Sequence, residues 1–527
     1  MRKYLGIFIL AILLAGCSDD FLNVDNINNS TLQNYYRNAD ECEKAVISAY
    51  SPLATAYGGS NMQYMLYSFE KYTKVEVNLY EDFLFSTNDG RIRDCYMYLF
   101  RGVFRCNLAL EVIHRTEGKT EVMSDGVQDS LAGEALFLRA MYYFYLKTLW
   151  GNVPLVTAMP VDPKFKYSNS EDDEIWDQME KDLLGFTDDK MGFTYSGAIN
   201  TLPAKWDVKF AGRATKGAAM ALLGKIYLYR HKWTEAKTYF KKVMDLGVYS
   251  LSQPKGNDST DYVYALLANS SYVDLISKSG NAYKAENNSE SVFEIQFDDQ
   301  GDDFPWLPGW FNSASLSSMY YGPFGYTNLG VRKTFVDLFT DLPEHPAGLL
   351  KDPRLSATVF SEGDTLYKDD KLVKWDVSLG FEEKYGLRKG FYPTIPQERI
   401  YHDPTNYRLI KYSDILLMYA EACMMEDGDW NAAPAEAVEA VNLLMRRAGL
   451  TEYFVLKKDD IIKERSKELG CENHRFFDLM RWYKAPEGQQ WVTKPSDILG
   501  KNFKTLLPIP LYEIDVNFPN LEQNAGY

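Results

Sequence analysis

The segment Gly133–Pro154, GEALFLRAMYYFYLKTLWGNVP, decides the architecture. Ala135, Leu138, Tyr142, Tyr145 and Leu149 recur at steps of three and four, the spacing of one apolar face on an α-helix. Gly151 and Pro154 stop that helix, Gly by tolerating a left-handed cap and Pro by lacking an amide donor.

Downstream, RATKGAAMALLGKIYLYRHKWTEAKTYFKKVMDLG (213–247) reads as a helical hairpin. Gly217, Ala218, Ala219, Ala221 and Gly224 permit close helix approach, and Trp233, Ala236, Phe240 and Val243 line the inner face of the second helix. Gly247 closes it. A small-residue helix, a turn with Trp and an A-x-x-x-F helix resemble a tetratricopeptide unit. A similar hairpin returns at 412–450, with Asp429 and Trp430 at the turn and Gly449 at its end. A third helical segment, DDIIKERSKELGCENHRFFDLMRW (459–482), opens on acidic residues suited to a helix N-terminus.

Between these blocks, about 249–407, Gly, Pro, Asn, Ser and Asp become frequent and helical periodicity fades. SVFEIQF (291–297) alternates as a short strand does. The expected fold is mainly all-α, with tetratricopeptide-like hairpins at about 39–248 and 408–527. A loop-rich insertion carrying little β structure interrupts them. Loops on a rigid frame are where binding residues concentrate.

The first residues carry an address. Arg2 and Lys3 precede the apolar run LGIFILAILLA, too short to span a bilayer comfortably and typical of a signal-peptide core. It ends in LAGC, the lipobox pattern, which predicts a signal peptide at 1–16, acylation of Cys17 and a polar tether over 17–38. Several acyl chains on one residue hold a soluble domain at a membrane stably, where one chain binds marginally.

A net charge of −16 argues against nucleic acid, since phosphate binding needs a positive footprint. The remaining cysteines, Cys42, Cys95, Cys106, Cys423 and Cys471, are odd in number and scattered, which suits neither a complete disulfide framework nor a zinc site. No metalloprotease, nucleophile-elbow, Walker or dinucleotide pattern occurs, so no catalytic residue is assigned. The buried-helix charges Glu134, Arg139, Glu421, Arg475 and Asp478 are expected to be structural partners. FDDQGDDF (297–304) offers oxygen ligands for Ca²⁺ without EF-hand spacing; a solvated loop is the favoured reading, and no cofactor is assigned.

Six segments in order resemble the SusD/RagB family of nutrient-binding outer-membrane lipoproteins: the lipobox at Cys17, 133–154, 212–229, 408–422, 463–482 and LLPIPLYEIDVNFPNLEQNAGY (506–527). The resemblance covers nearly the whole chain. Departures are Cys471 and Asn473, where the family commonly has an aromatic and a glycine, the extra Phe518, and Ala525 in place of a usual proline. The resemblance implies a helical body beside a variable region, a place on the outer membrane facing the exterior, and a SusC-like TonB-dependent transporter as partner. It also implies an oligo- or polysaccharide ligand; the RagB-like branch handles peptides, and a surface hydrolase or a purely structural lipoprotein are the remaining readings.

Sugar rings present apolar C–H faces flanked by hydroxyls, which aromatic rings and polar side chains recognise together. Trp306, Trp310, Tyr320 and Tyr321 are the platform candidates. Asn88, Asp89 and Arg91 are the polar candidates, placed in the loop region where the family tends to hold ligand.

Overall fold

A computed structural model describes residues 35–527 apart from 59–60, 76–77, 116–118, 122, 161, 163, 190–191, 269–274, 299–314, 318–320, 322–328, 340–351, 362, 369–370, 375–384 and 391–402. Cys17 and most of the expected tether lie outside the described residues. The chain is mainly helical with short strands, as its periodicity predicts. The longer helices are α1 (Ala39–Gly58), α2 (Asn61–Glu70), α3 (Gly90–His114), α4 (Asp125–Trp150), α5 (Glu174–Leu184), α6 (Lys216–Tyr229) and α7 (Trp233–Asp245). They continue as α8 (Ser259–Leu267), α9 (Tyr412–Asp427), α10 (Ala435–Ala448), α11 (Lys458–Leu469) and α12 (Arg475–Tyr483).

These helices form one continuous array. Helix α3 packs on α1 and α4, α4 on α5, α5 on α6, and the hairpin α6–α7 joins the hairpin α9–α10 through α7 and α9. The predicted face of α4 is core: Ala135, Leu138 and Tyr142 are fully buried. Close approach is built in at two glycines. A Cβ on Gly102 would stand 2.2 Å from the Tyr142 ring, and one on Gly224 would stand 2.8 Å from Phe240. Tyr142 uses that proximity to donate its hydroxyl to the Ala49 carbonyl at 2.7 Å and accept from the Leu53 amide at 3.1 Å, tying α4 to α1.

The insertion is more ordered than its composition suggests. It holds α8 and short antiparallel strands. β1 (Thr73–Val75), β2 (Ser291–Ile295), β3 (Leu329–Val331), β4 (Val359–Ser361), β5 (Tyr385–Leu387) and β6 (Tyr407–Lys411) are the ones that organise it. Strands in the order β1-β3-β5-β4 make one sheet, so a strand from the helical half seeds the insertion's sheet. The predicted strand at 291–297 is β2, which pairs with β6 and brings Arg408 to Glu294 at 2.8 Å.

The expected helical segment at 459–482 is in fact two helices, α11 and α12. The chain turns between them at Cys471 (φ 61°) and Asn473 (φ 65°). Asn tolerates the left-handed region better than most residues, which fits the backbone it adopts here.

Charge is buried at this junction. Arg465 donates to Asp478 at 2.9 and 3.0 Å and pairs with Asp414 at 2.9 Å, while Arg481 joins Asp478 to Glu421. Glu70, on α2, is the exception. It is fully buried, takes the Cys471 amide at 2.8 Å on one oxygen and leaves the other without a hydrogen bond. Burial pushes its pKa up to about 8.

A carboxyl whose folded pKa is raised contributes stability below its unfolded pKa and loses it as pH rises through the folded value. Folding should therefore weaken by roughly 1.4 kcal/mol per pH unit on this account between the two pKa values. Glu70→Gln abolishes that dependence. Denaturant titrations at pH 5 to 8 should show the variant gaining on wild type as pH rises; parallel curves would mean Glu70 ionises freely in the fold.

Candidate functional site

The start of α3 gathers the polar candidates. Asn88 is exposed in the preceding turn. Asp89 is the N-cap, accepting the Ile92 amide at 3.0 Å, and its carboxylate also accepts the Tyr80 hydroxyl at 2.8 Å. Burial and the Asp89 carboxylate together push the Tyr80 phenol above its usual range, so it stays a donor. Arg91 lays its guanidinium over Tyr64, 4.3 Å from the ring centroid, and lies 5.9 Å from that of Tyr80. Those two rings meet edge-on at 5.8 Å. Both rings are buried, Tyr64 at 3 % and Tyr80 at 2 % accessible, so they are the base of a shelf whose rim carries a cation, a carboxylate and an exposed amide.

Other chain segments close on this shelf. The Leu511 amide donates to the Thr87 carbonyl at 3.0 Å, which brings the C-terminal segment and its exposed Tyr512 (68 % accessible) alongside. From the insertion, the Leu316 amide donates to the Gly58 carbonyl at 2.9 Å and the Ser317 hydroxyl to Gln63 at 3.0 Å. Phe297 packs so tightly on Gly58 that a Cβ there would stand 2.5 Å from its ring. Both flanks of 299–314 are thus fixed beside the start of α2, the helix that carries Tyr64.

The aromatic candidates fare differently. Trp306, Trp310 and Tyr320 lie outside the described residues. Tyr321 is corrected: it is 4 % accessible and packs edge-on against Tyr67 at 5.2 Å, so neither ring face is open to a sugar. Tyr64, on α2, and Tyr80, in the short helix Asn78–Glu81, escaped sequence reasoning because neither segment carries a pattern that sets these tyrosines apart from core residues. Tyr512 escaped because its motif reads as scaffold.

Four of the five charges expected to be structural are locked in pairs. Glu134 binds Arg213 and accepts the Tyr50 hydroxyl at 2.6 Å; Arg139 forks onto Asp182 at 2.6 and 2.9 Å; Glu421 and Asp478 share Arg481. Arg475 departs from that expectation, donating to the Ser466 hydroxyl at 3.1 Å and stacking over Tyr72 at 4.2 Å. All five described cysteines are buried and unbridged. No cluster of potential metal ligands occurs among the described residues; of the FDDQGDDF run only Phe297 and Asp298 are among them.

Comparison with known proteins gives a consistent result. A family profile described as starch-binding associating with outer membrane matches residues 18–228, and one described as the SusD family matches 289–527. A SusD-like protein of Bacteroides ovatus is 24 % identical over 97 % of this chain and 89 % of its own length. A SusD-like protein of Formosa agariphila is 22 % identical over 99 % of both. Among solved structures, a laminarin-binding SusD-like protein superposes with a TM-score of 0.70 at 22 % identity, covering 93 % of this chain and 100 % of its own. A structure described with a xylogluco-oligosaccharide superposes with a TM-score of 0.66 at 17 % identity, covering 92 % and 100 %.

Asp89 carries a structural load that Asn88 does not. Asp89→Ala removes the cap and the Tyr80 partner and should cost about 1 kcal/mol in chemical denaturation. Asn88→Ala, at an exposed turn, should stay within ~0.5 kcal/mol of wild type. Equal effects from the two would contradict the capping geometry.

Proposed function

The chain belongs to the SusD family, and on that premise we propose that it is a cell-surface lipoprotein that captures an oligo- or polysaccharide and hands it to a SusC-like TonB-dependent transporter. Acylation of Cys17 holds it in the outer membrane, facing outward. It acts by binding, without catalysis, and needs no cofactor to do so.

The observation that supports this reading is the shelf at the start of α3. Arg91 and the exposed Asn88 offer donors, Asp89 fixes the backbone beneath them, and the buried rings of Tyr64 and Tyr80 hold Arg91 in place. Relatives of the same fold are described as binding laminarin or holding a xylogluco-oligosaccharide. Trp306 and Trp310 enter the reading as ring candidates on sequence grounds alone.

Affinity follows from the chemistry. At ~1 kcal/mol per stacked ring, three rings supply ~3 kcal/mol, short of the ~4 kcal/mol of a millimolar complex. Single sugars therefore bind weakly, and capture depends on repeated units along a polymer.

Native gels containing a panel of polysaccharides test this with the soluble form starting after Cys17. One polymer should retard it, and Trp306→Ala/Trp310→Ala should run freely. No retardation by any polymer would move the ligand class to peptides.

A further inference from the structure

A second concavity lies away from the α3 shelf. Two cavities, of about 620 and 660 Å³, open on either side of the segment Ala211–Arg213, and the first is bounded by residues from 204–215, 248–255 and 283–294. Each is within the size range of small-molecule sites. What separates the first from an ordinary surface dent is its charge.

Lys205, Lys255 and Lys284 line it. Lys205 and Lys284 are exposed and make no side-chain hydrogen bond or ion pair among the described residues. Lys255 donates to the Ala282 carbonyl and stands 5.2 Å over the Tyr283 ring, which leaves its charge uncompensated. The wall's other cation, Arg213, is neutralised by Glu43 and Glu134. Its carboxylate, Glu294, is neutralised by Arg408 at 2.8 Å. Glu286, next in the chain to the lining residues, has its pKa pushed up to about 8 by burial, so it stays largely protonated at neutral pH.

The cavity therefore holds three uncompensated positive charges in a protein whose net charge is −16. Like charges gathered in a concavity repel one another, and an anion relieves them. The remaining wall suits a saccharide. Half-buried Trp206 and Tyr249 supply aromatic surface, and Gln253 and Ser252 supply hydroxyl partners.

We propose that this cavity is a second saccharide subsite that takes sugars bearing an anion, a uronate carboxylate or a sulfate ester. Lys205, Lys255 and Lys284 bind the anion, and Trp206 and Tyr249 pack on the ring. The subsite is independent of the α3 shelf, which carries no comparable excess of lysine.

The test is retardation of the soluble chain in native gels containing polygalacturonate, dextran sulfate or neutral dextran. Wild type should be held by a polyanion more than by dextran, and by which one distinguishes carboxylate from sulfate. Raising salt from ~50 to ~300 mM should weaken that retention through screening. Lys205→Gln/Lys284→Gln should lower it about fivefold, the sum of two exposed charge contacts. Both changes are at exposed side chains, so an unchanged melting temperature confirms folding. Arg91→Ala, run in parallel, should spare polyanion retention; loss of neutral-polymer binding in that variant alone concerns the shelf and not this subsite. Equal retention of the lysine double variant, or no retention of wild type by either polyanion, overturns the proposal.

Discussion

Helix α11 buries charge where a core helix ordinarily buries leucine. Glu464, Arg465, Lys467 and Glu468 are all under 5 % accessible. Together they reach three parts of the chain: Glu464 and Lys467 meet the paired Arg354 and Asp352 at 2.6 and 3.7 Å, Arg465 meets Asp414 and Asp478, and Glu468 meets Arg447 at 2.6 Å. The helical array and the insertion are joined through these contacts. Such pairs add little net stability over apolar packing, but removing one partner costs about 3–5 kcal/mol because the other is stranded. They set where the insertion sits relative to the helices.

The same principle separates two neighbouring carboxyls. Glu472 is largely sheltered, though less than Glu70, and burial alone would raise its pKa. Lys389 and Lys411, at 2.7 and 2.8 Å, instead hold it down to about 2. Glu70 has no such cations in contact and stays protonated. Lys389 and Lys411 belong to the insertion and its closing strand, so Glu472 is one more point where the two halves are pinned. The α3 shelf benefits from that pinning, because α2 and the flanks of 299–314 are held against it by the same frame.

Much of this was legible in the residues. The face of Gly133–Pro154, the hairpins ending at Gly247 and Gly449, and the alternation of SVFEIQF each produced the predicted element, because periodicity and glycine caps are local signals. The break inside 459–482 was not legible, since neither Cys471 nor Asn473 is an obvious breaker. The left-handed turn there is imposed by packing and by hydrogen bonds such as Asn473 to the Tyr407 hydroxyl at 2.6 Å. Tyr321 looked like surface because it lies among loop residues, yet Tyr67 covers it. The shelf was half legible: Asn88, Asp89 and Arg91 stood out by chain region, but their aromatic partners Tyr64 and Tyr80 are distant in type from any sequence signal. Lysines scattered over eighty residues, as at the second cavity, have no pattern until the chain is folded.

The central claim is that saccharide is held at the start of α3. A structure of the soluble chain with an oligosaccharide cut from whichever polymer retards it would test that most directly. The account predicts sugar lying over the start of α3, with hydroxyls at Arg91 and Asn88. Saccharide bound only at other surfaces, with this shelf vacant, would contradict it.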